Sequence, residues 1–166
     1  MIGHSLGISF VKKKGLFLSA AGLVGSRKIL LIKPMTFMNR SGFAVREVIR
    51  YYDIPLTSVL IVLDDIDLTF GTFRYRTRGK DAGNRGMKSI IGEIGSDEIP
   101  RFRFGIRNRT TIANASSYVL SNFSHREQEH LPKLLSIAEQ SIEKWISDGI
   151  ADTMNEYNRQ HLKDQE

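Results

Sequence analysis

The chain has 166 residues, of which 41% are hydrophobic, and this is enough for one domain with one sizeable core. Lys and Arg number 24 against 18 Asp and Glu, which gives a net charge of +6 at pH 7 and favours a polyanionic partner such as nucleic acid. Cysteine is absent, which excludes a disulfide framework, a thiolate metal site and a Cys nucleophile, and which is typical of proteins of the reducing cytoplasm.

The segment VKKKGLFLSAAGLVG, residues 11 to 25, combines a basic start with an apolar run of small residues. This pattern imitates a secretory signal, which would make the chain a secreted or membrane-attached basic protein. The alternative is a pair of short strands that turn near Gly22 to Arg27. The strands are favoured because a further apolar strand, KILLIKP, follows at once, and no apolar run reaches the roughly 18 residues that a membrane span needs.

Two short apolar runs, KILLIK and SVLIVL at residues 58 to 63, have the pattern of strands that are covered on both faces. Between them, apolar residues at helical spacing predict a helix that is capped by Ser41 or Asn39. A strand, a helix and a strand in this order predict a right-handed parallel crossover, in which the two strands are neighbours.

Two later segments alternate aromatic residues with arginines. In FRYRTR, residues 73 to 78, and RFRFGI, residues 101 to 106, this alternation predicts strands with one apolar and one cationic face. A short helix is expected between them, from about Met87 to Ile94.

The last third of the sequence predicts helices. Ser124 and Glu127 form a capping box ahead of a long amphipathic pattern that Gly149 stops. A final helix is expected at about residues 151 to 160, before a polar tail.

Polar residues follow both apolar runs. Because ligands of open α/β sheets bind beyond the carboxyl ends of parallel strands, we expect Asn39 and Asp64 to emerge on the same edge of the sheet. The alternatives are a helix cap for Asn39 and a solvated turn for Asp64. A metal cluster of the acidic residues in DDID, 64 to 67, is disfavoured because strand alternation sends Asp64 and Asp65 to opposite faces. A single carboxylate at this position suits the orientation of a His base.

The loop RGKDAGNRGMK, residues 78 to 88, has two possible interpretations. It is a plain connection between elements, or it contacts a phosphate or carboxylate through Lys80, Arg85, Lys88 and the N-terminus of the following helix. It is not a P-loop, because the required spacing of Gly, Lys and Ser or Thr is absent.

The ordered motifs KPMTFMNRSG, VLDDIDLTFG, GNRGMKSI, PRFRFGI and DTMNEYNRQ closely resemble those of bacterial peptidyl-tRNA hydrolases, over about residues 6 to 160. The resemblance implies one α/β domain, residues 1 to 160, with a mixed twisted sheet flanked by helices, and a polar tail at 161 to 166. It also implies a cytoplasmic monomer that needs no metal or other cofactor and no membrane. The implied activity is hydrolysis of the ester between peptide and tRNA, which frees tRNA for translation.

The resemblance also implies roles for individual residues. Asp64 would orient the catalytic His, and Asn39 would hold the substrate and the attacking water. The residues implied to bind the substrate are Phe37, Met38, Asn39, Asn84 and Arg85, of which the last two stand where the family has His and Asn. The residues implied to face the acceptor stem of tRNA are Arg74, Arg76 and Arg103.

The general base of the family is a His in a segment before the part of the family that this chain matches. We therefore expect the chain to be incomplete at its N-terminus, with the true start codon upstream, and His4 is the alternative base. An inactive RNA-binding protein derived from a hydrolase is the alternative function. An in-frame Thr-Arg-His-Asn coding stretch upstream would favour the enzyme, and a stop codon would favour the binding protein.

Overall fold

The structure of the protein is a computed structural model, and it describes residues 9–12, 15–108 and 111–158. The chain divides into two compact units. The first unit comprises residues 1–60 and 77–100, and the second comprises residues 61–76 and 101–166. Each unit contains one three-stranded sheet together with its own helices, so both have α/β character.

The sheet of the first unit is antiparallel. Its strands, in the order β1-β2-β3, are β1 (Val11–Lys12), β2 (Phe17–Val24) and β3 (Arg27–Pro34). β2 and β3 form a hairpin whose pairs run from Phe17 with Pro34 to Val24 with Arg27. The turn places Gly25 at a φ of +57°, a conformation that glycine adopts without steric cost. The predicted strands and the predicted turn between Gly22 and Arg27 are confirmed, but this turn joins β2 to the KILLIKP strand β3, and within residues 11 to 25 β2 also pairs with β1.

Among its described residues, the first unit has two α-helices and two single turns of 3-10 helix. The α-helices are α1 (Ser41–Tyr52) and α2 (Arg85–Ile94), and the 3-10 turns are Met38–Arg40 and Leu56–Ser58. The apolar face of α1 packs on the hairpin. This core contains Phe17, Ala44, Val48, Leu30, Ile32, Tyr52 and Ile54.

The helices α1 and α2 approach each other closely at a glycine. The backbone N–H of Gly42 donates to the hydroxyl of Ser89 at 3.0 Å, and a Cβ at Gly42 would overlap the carbonyl oxygen of Ser89. One turn further on, the guanidinium of Arg46 lies 2.5 Å from the carboxylate of Glu93. Only glycine allows this backbone contact, because any other side chain would push the two helices apart.

The sheet of the second unit is mixed. Its strands, in the order β4-β6-β5, are β4 (Ile61–Thr69), β5 (Phe73–Arg76) and β6 (Arg101–Arg107). β6 pairs in parallel with β4 and antiparallel with β5. The helices of this unit are α3 (Ala115–Val119), α4 (His125–Asp148) and α5 (Ile150–Tyr157).

Aromatic residues of β5 and β6 form the core of the second unit. Phe73, Tyr75 and Phe102 are almost fully buried, and their rings stack at centroid distances of 4.7 and 5.2 Å. The hydroxyl of Ser141 on α4 donates to the carbonyl oxygen of Ala138 at 2.7 Å. The Tyr75 hydroxyl, 2.6 Å away, is therefore the donor to Ser141.

The helix ends agree with the sequence in part. Ser124 and Glu127 form the predicted capping box at the start of α4. The predicted cap of α1 is wrong, because Arg40 occupies the N-cap position without a side-chain hydrogen bond. The hydroxyl of Ser41 instead donates to the carbonyl oxygen of Met38 at 2.9 Å.

The predicted pairing of KILLIK with SVLIVL is also wrong. In the described residues, β3 belongs to the antiparallel sheet and β4 to the mixed one. Both runs form strands, but β3 pairs with β2 and β4 pairs with β6. None of the helices in the described ranges is long and apolar enough to cross a membrane.

Candidate functional site

The segment after β3 holds three exposed side chains in a fixed turn. The backbone N–H of Arg40 donates to the carbonyl oxygen of Phe37 at 2.8 Å, and the Ser41 hydroxyl secures the carbonyl of Met38. Phe37 is 80% exposed and Met38 is 60% exposed, and Asn39 between them and the helix is also exposed. Large apolar side chains at such exposure are typical of a binding surface.

The N-terminus of α2 lies against this turn. Asn84 caps the helix, since its Oδ1 accepts from the Met87 N–H at 2.9 Å. A Cβ built on Gly86 would lie 2.6 Å from the sulfur of Met38, so the thioether rests on the glycine backbone. The structure therefore brings two groups of predicted substrate-binding residues together. They are Phe37, Met38 and Asn39 in one group and Asn84 and Arg85 in the other.

Arg85 is the first residue of α2 and is exposed. Within the described part of the chain it has no ion-pair partner. The amide oxygen of Asn84 is already engaged as a cap, so its NH₂ group is the part that remains for a ligand. The loop consequently offers a cation and a hydrogen-bond donor, which suits a ligand with acceptor oxygens.

An open cavity adjoins the same turn on its other side. Its volume is about 420 Å³, and it is lined by Leu16, Met35, Thr36, Phe37, Arg40 and Phe43. The guanidinium of Arg40 stands 5.3 Å from the centre of the Phe43 ring, within the range of a cation–π contact. Phe37 thus borders this cavity as well as the exposed turn.

The acidic segment of the second unit lies inside a strand. Asp64, Asp65 and Asp67 belong to β4, which continues to Thr69, so the prediction that they follow the strand end is wrong. The expected alternation does occur: Asp64 is exposed and Asp65 is 7% exposed. The described residues contain no group of three or more His, Asp or Glu that could hold a metal ion.

Asp65 forms two side-chain hydrogen bonds. Its Oδ1 accepts from the backbone N–H of Asp67 at 2.8 Å, next to a register shift between Asp65 and Thr69. Its Oδ2 accepts from the Nε of Arg103 in an ion pair. Both partners lie largely away from solvent, with 20% of the Arg103 side chain exposed, so the pair is shielded from salt.

Four arginines share one face of the mixed sheet. Arg74 is paired across the strands with Arg103, and Arg76 with Arg101, and we call this set the arginine face. Arg76 is exposed, Arg74 is half-buried and Arg101 is buried. The aromatic core lies on the other side of these strands, as the alternation predicted. Of the predicted tRNA contacts, Arg76 is therefore the most accessible.

The remaining predicted residues cannot be joined into one site. Asn39 belongs to the first unit and Asp64 to the second, and their convergence stays a prediction. His4, the alternative base, lies outside the described residues.

Known proteins resemble this chain along almost its whole length. The sequence profile of the Peptidyl-tRNA hydrolase family matches residues 2–165. The chain is 40% identical over 153 residues to the peptidyl-tRNA hydrolase of Carboxydothermus hydrogenoformans, which covers 92% of this chain and 81% of that relative. The chain belongs to the peptidyl-tRNA hydrolase family. The peptidyl-tRNA hydrolase of Pelodictyon phaeoclathratiforme is 39% identical, over 95% of this chain and 84% of that one.

Solved structures give the same result. The crystal structure of peptidyl-tRNA hydrolase from Acinetobacter baumannii matches with a TM-score of 0.86 and 26% identity, over 95% of this chain and 80% of that one. A peptidyl-tRNA hydrolase in complex with N-propanol matches with a TM-score of 0.88 and 25% identity, over 97% and 83% of the two chains. The family resemblance and the α/β fold class are confirmed.

The sequence did not reveal the ion pair between Asp65 and Arg103. The signal that could have found it is the alternation itself, because an acidic residue on the inner face of a strand needs a cation or several donors. Arg103, which lies on the cationic face predicted for RFRFGI, supplies that cation.

Proposed function

We propose that Asp64 and Asn39 carry out the hydrolysis of peptidyl-tRNA, the reaction of the family to which this chain belongs. The bond cleaved is the ester between the peptide and the tRNA. Such hydrolysis needs a base that activates water and a donor that stabilises the charge that develops on the carbonyl oxygen. The amide of Asn39 meets the second need, and the carboxylate of Asp64 can orient a histidine that meets the first. Both groups are exposed, which supports the assignment.

Asp64 acts on the water through a histidine in this proposal. A carboxylate that accepts the N–H of one ring nitrogen fixes the tautomer, so that the other nitrogen is free to take a proton from water. Asn39 supplies both an amide N–H₂ and an amide oxygen, which can bond the ester carbonyl and the attacking water. The family match and the exposed turn at Met38–Arg40 are the support for Asn39.

The peptide portion of the substrate lies on the exposed turn and the start of α2. Phe37 and Met38 offer apolar contact area, and Met38 is held by the backbone of Gly86. Arg85 and the NH₂ of Asn84 face the acceptor oxygens of the substrate. Arg85 and Asn84 would bond backbone carbonyls, which every peptide has. Phe37 and Met38 offer a broad apolar surface that accepts many side chains, so we expect little selectivity for the peptide sequence.

The tRNA portion binds to the arginine face. Arg74, Arg76 and Arg103 present cations from two neighbouring strands, and cationic side chains are the groups that contact the phosphates of a nucleic acid backbone. The net charge of +6 adds a long-range attraction for tRNA. The protein works as a monomer in the cytoplasm, where its substrate arises during translation.

The test measures peptide release from peptidyl-tRNA together with the affinity for uncharged tRNA. Asn39→Ala should lower kcat by about a hundredfold and leave the Kd for tRNA nearly unchanged, because its contacts form at the reacting ester. Asp64→Asn should lower kcat to a similar extent. His4→Ala shows in the same assay whether His4 is the base.

The matched control is Asn155→Ala, an exposed amide on α5, which should change neither quantity. If Asn39→Ala weakened tRNA binding as much as it lowered kcat, Asn39 would have a structural role and not a catalytic one. Full activity in Asp64→Asn would remove Asp64 from the reaction.

A further inference from the structure

The ion pair between Asp65 and Arg103 leaves part of the arginine unused. Asp65 engages only Nε, and the two Nη groups of Arg103 form no hydrogen bond or ion pair within residues 9–12, 15–108 and 111–158. A guanidinium has five N–H donors in a rigid plane, so a contact at Nε fixes the orientation of the four donors on Nη.

We infer that Asp65 is a positioning residue, which holds Arg103 by Nε and so directs both Nη groups at a phosphate of the tRNA backbone. This rests on the proposed role of the arginine face. The carboxylate is itself anchored, because its other oxygen accepts the Asp67 N–H. Arg103 is also opposite Arg74, and the carboxylate of Asp65 offsets the repulsion between these two like charges.

This inference makes a prediction opposite in sign to simple electrostatics. Removal of an acidic charge beside a basic surface should strengthen the binding of a polyanion. If Asp65 orients Arg103, removal of its charge should weaken that binding instead, because the Nη fork no longer points in one direction. The sign of this affinity change therefore separates a positioning role from simple repulsion of the tRNA, and thermal unfolding and the double variant separate it from a structural role.

The experiment measures the Kd for uncharged tRNA as a function of salt, with thermal unfolding as the check on folding. Asp65→Asn keeps the size of the side chain and should raise the Kd by about tenfold, and Arg103→Ala should raise it to a similar extent. The double variant should bind as Arg103→Ala alone, since both changes remove the same contact. Asp67→Asn, the exposed carboxylate two residues away, is the control and should leave the Kd unchanged or lower it.

Arg103→Lys keeps the test valid even if Asp65→Asn does not fold. A lysine can pair with Asp65 or contact a phosphate but cannot do both in a fixed geometry, so its Kd should also rise. Wild-type or tighter binding by Asp65→Asn or by Arg103→Lys, while Arg103→Ala weakens binding, would overturn the inference and leave the proposed function standing. Unchanged binding by Arg103→Ala would overturn both the inference and the tRNA contact of Arg103.

Discussion

Asn158 completes the hydrogen bonding of β5 with its side chain. Its Oδ1 accepts from the backbone N–H of Tyr75 at 2.5 Å, and its Nδ2 donates to the carbonyl oxygen of the same residue at 3.2 Å. The amide thus occupies the place of a neighbouring strand, on the edge that β6 does not cover. An unpaired edge is a site for unwanted strand association, and here the Asn158 side chain satisfies the backbone groups of Tyr75 on this edge.

Asn158→Ala should lower the free energy of unfolding by about 1–3 kcal/mol, because it leaves a buried N–H and C=O of Tyr75 without partners. Urea unfolding is the measurement. Asn155→Ala, an exposed asparagine on the same helix, should change the stability by no more than about 0.5 kcal/mol. Equal effects of the two variants would show that solvent replaces the amide of Asn158.

Two glycines in neighbouring helices should respond to alanine in opposite directions. Gly42→Ala should destabilise the protein by about 3 kcal/mol, since its Cβ would overlap the carbonyl oxygen of Ser89. Gly92→Ala on α2 meets no atom within 4 Å and should stabilise it by about 0.5–1 kcal/mol through helix propensity. Thermal unfolding compares them, and a Gly42→Ala protein as stable as the wild type would contradict the close helix contact.

The stability of the protein should fall in alkali because of Tyr75. Burial raises the pKa of Tyr75 above its ordinary value of 10.0, against a smaller lowering by its hydrogen bond with Ser141. The unfolded chain loses the Tyr75 proton first, so the contribution of this residue is complete below pH 10 and is lost as the pH rises further.

Tyr75→Phe isolates this effect from that of the other titrating groups. The variant should be less stable at pH 7, because the acceptor on Ser141 loses its donor. It should also lose less stability than the wild type between about pH 9 and about pH 11. Urea unfolding at both pH values provides the comparison, and parallel losses in the two proteins would exclude Tyr75 as the source.

Arg76 should contribute one phosphate contact to tRNA binding. Arg76→Ala should lower the slope of log Kd against log salt by roughly one unit, because one fewer counterion is released. Arg126→Ala removes the same charge from an exposed position on α4 and should leave the slope nearly unchanged. An unaltered slope in Arg76→Ala would remove this residue from the tRNA-binding surface.

Local features of the fold could be predicted from the sequence. The turn between β2 and β3, the capping box of Ser124 and Glu127, and the two faces of β5 each depend on residues close together in the chain. The sheet partners could not be predicted in this way. The apolar pattern of β3 predicts a strand. It does not predict which strand pairs with β3, because that depends on residues far along the sequence and all apolar runs have a similar pattern.

The site was predictable where it is a local turn and less so where it depends on pairing. Phe37 and Met38 follow the end of β3 at Pro34, and the sequence predicted binding residues in this segment. Asp64 lies inside β4 because the alternation continues through the acidic residues to Thr69. The contact of Asn158 with Tyr75 joins positions 83 residues apart. The motif DTMNEYNRQ, which contains Asn158, does not predict which residue this side chain contacts.

The position of Met38 has a chemical consequence. The residue is 60% exposed, and its sulfur lies against the backbone of Gly86, so there is no room on that side for an added oxygen. Methionine sulfoxide is larger and polar, and its formation at Met38 would lift the side chain from α2. Met35 is equally exposed but only borders the open cavity. Oxidation of Met38 by peroxide would therefore disturb the proposed peptide contact reversibly, since methionine sulfoxide reductases restore the thioether.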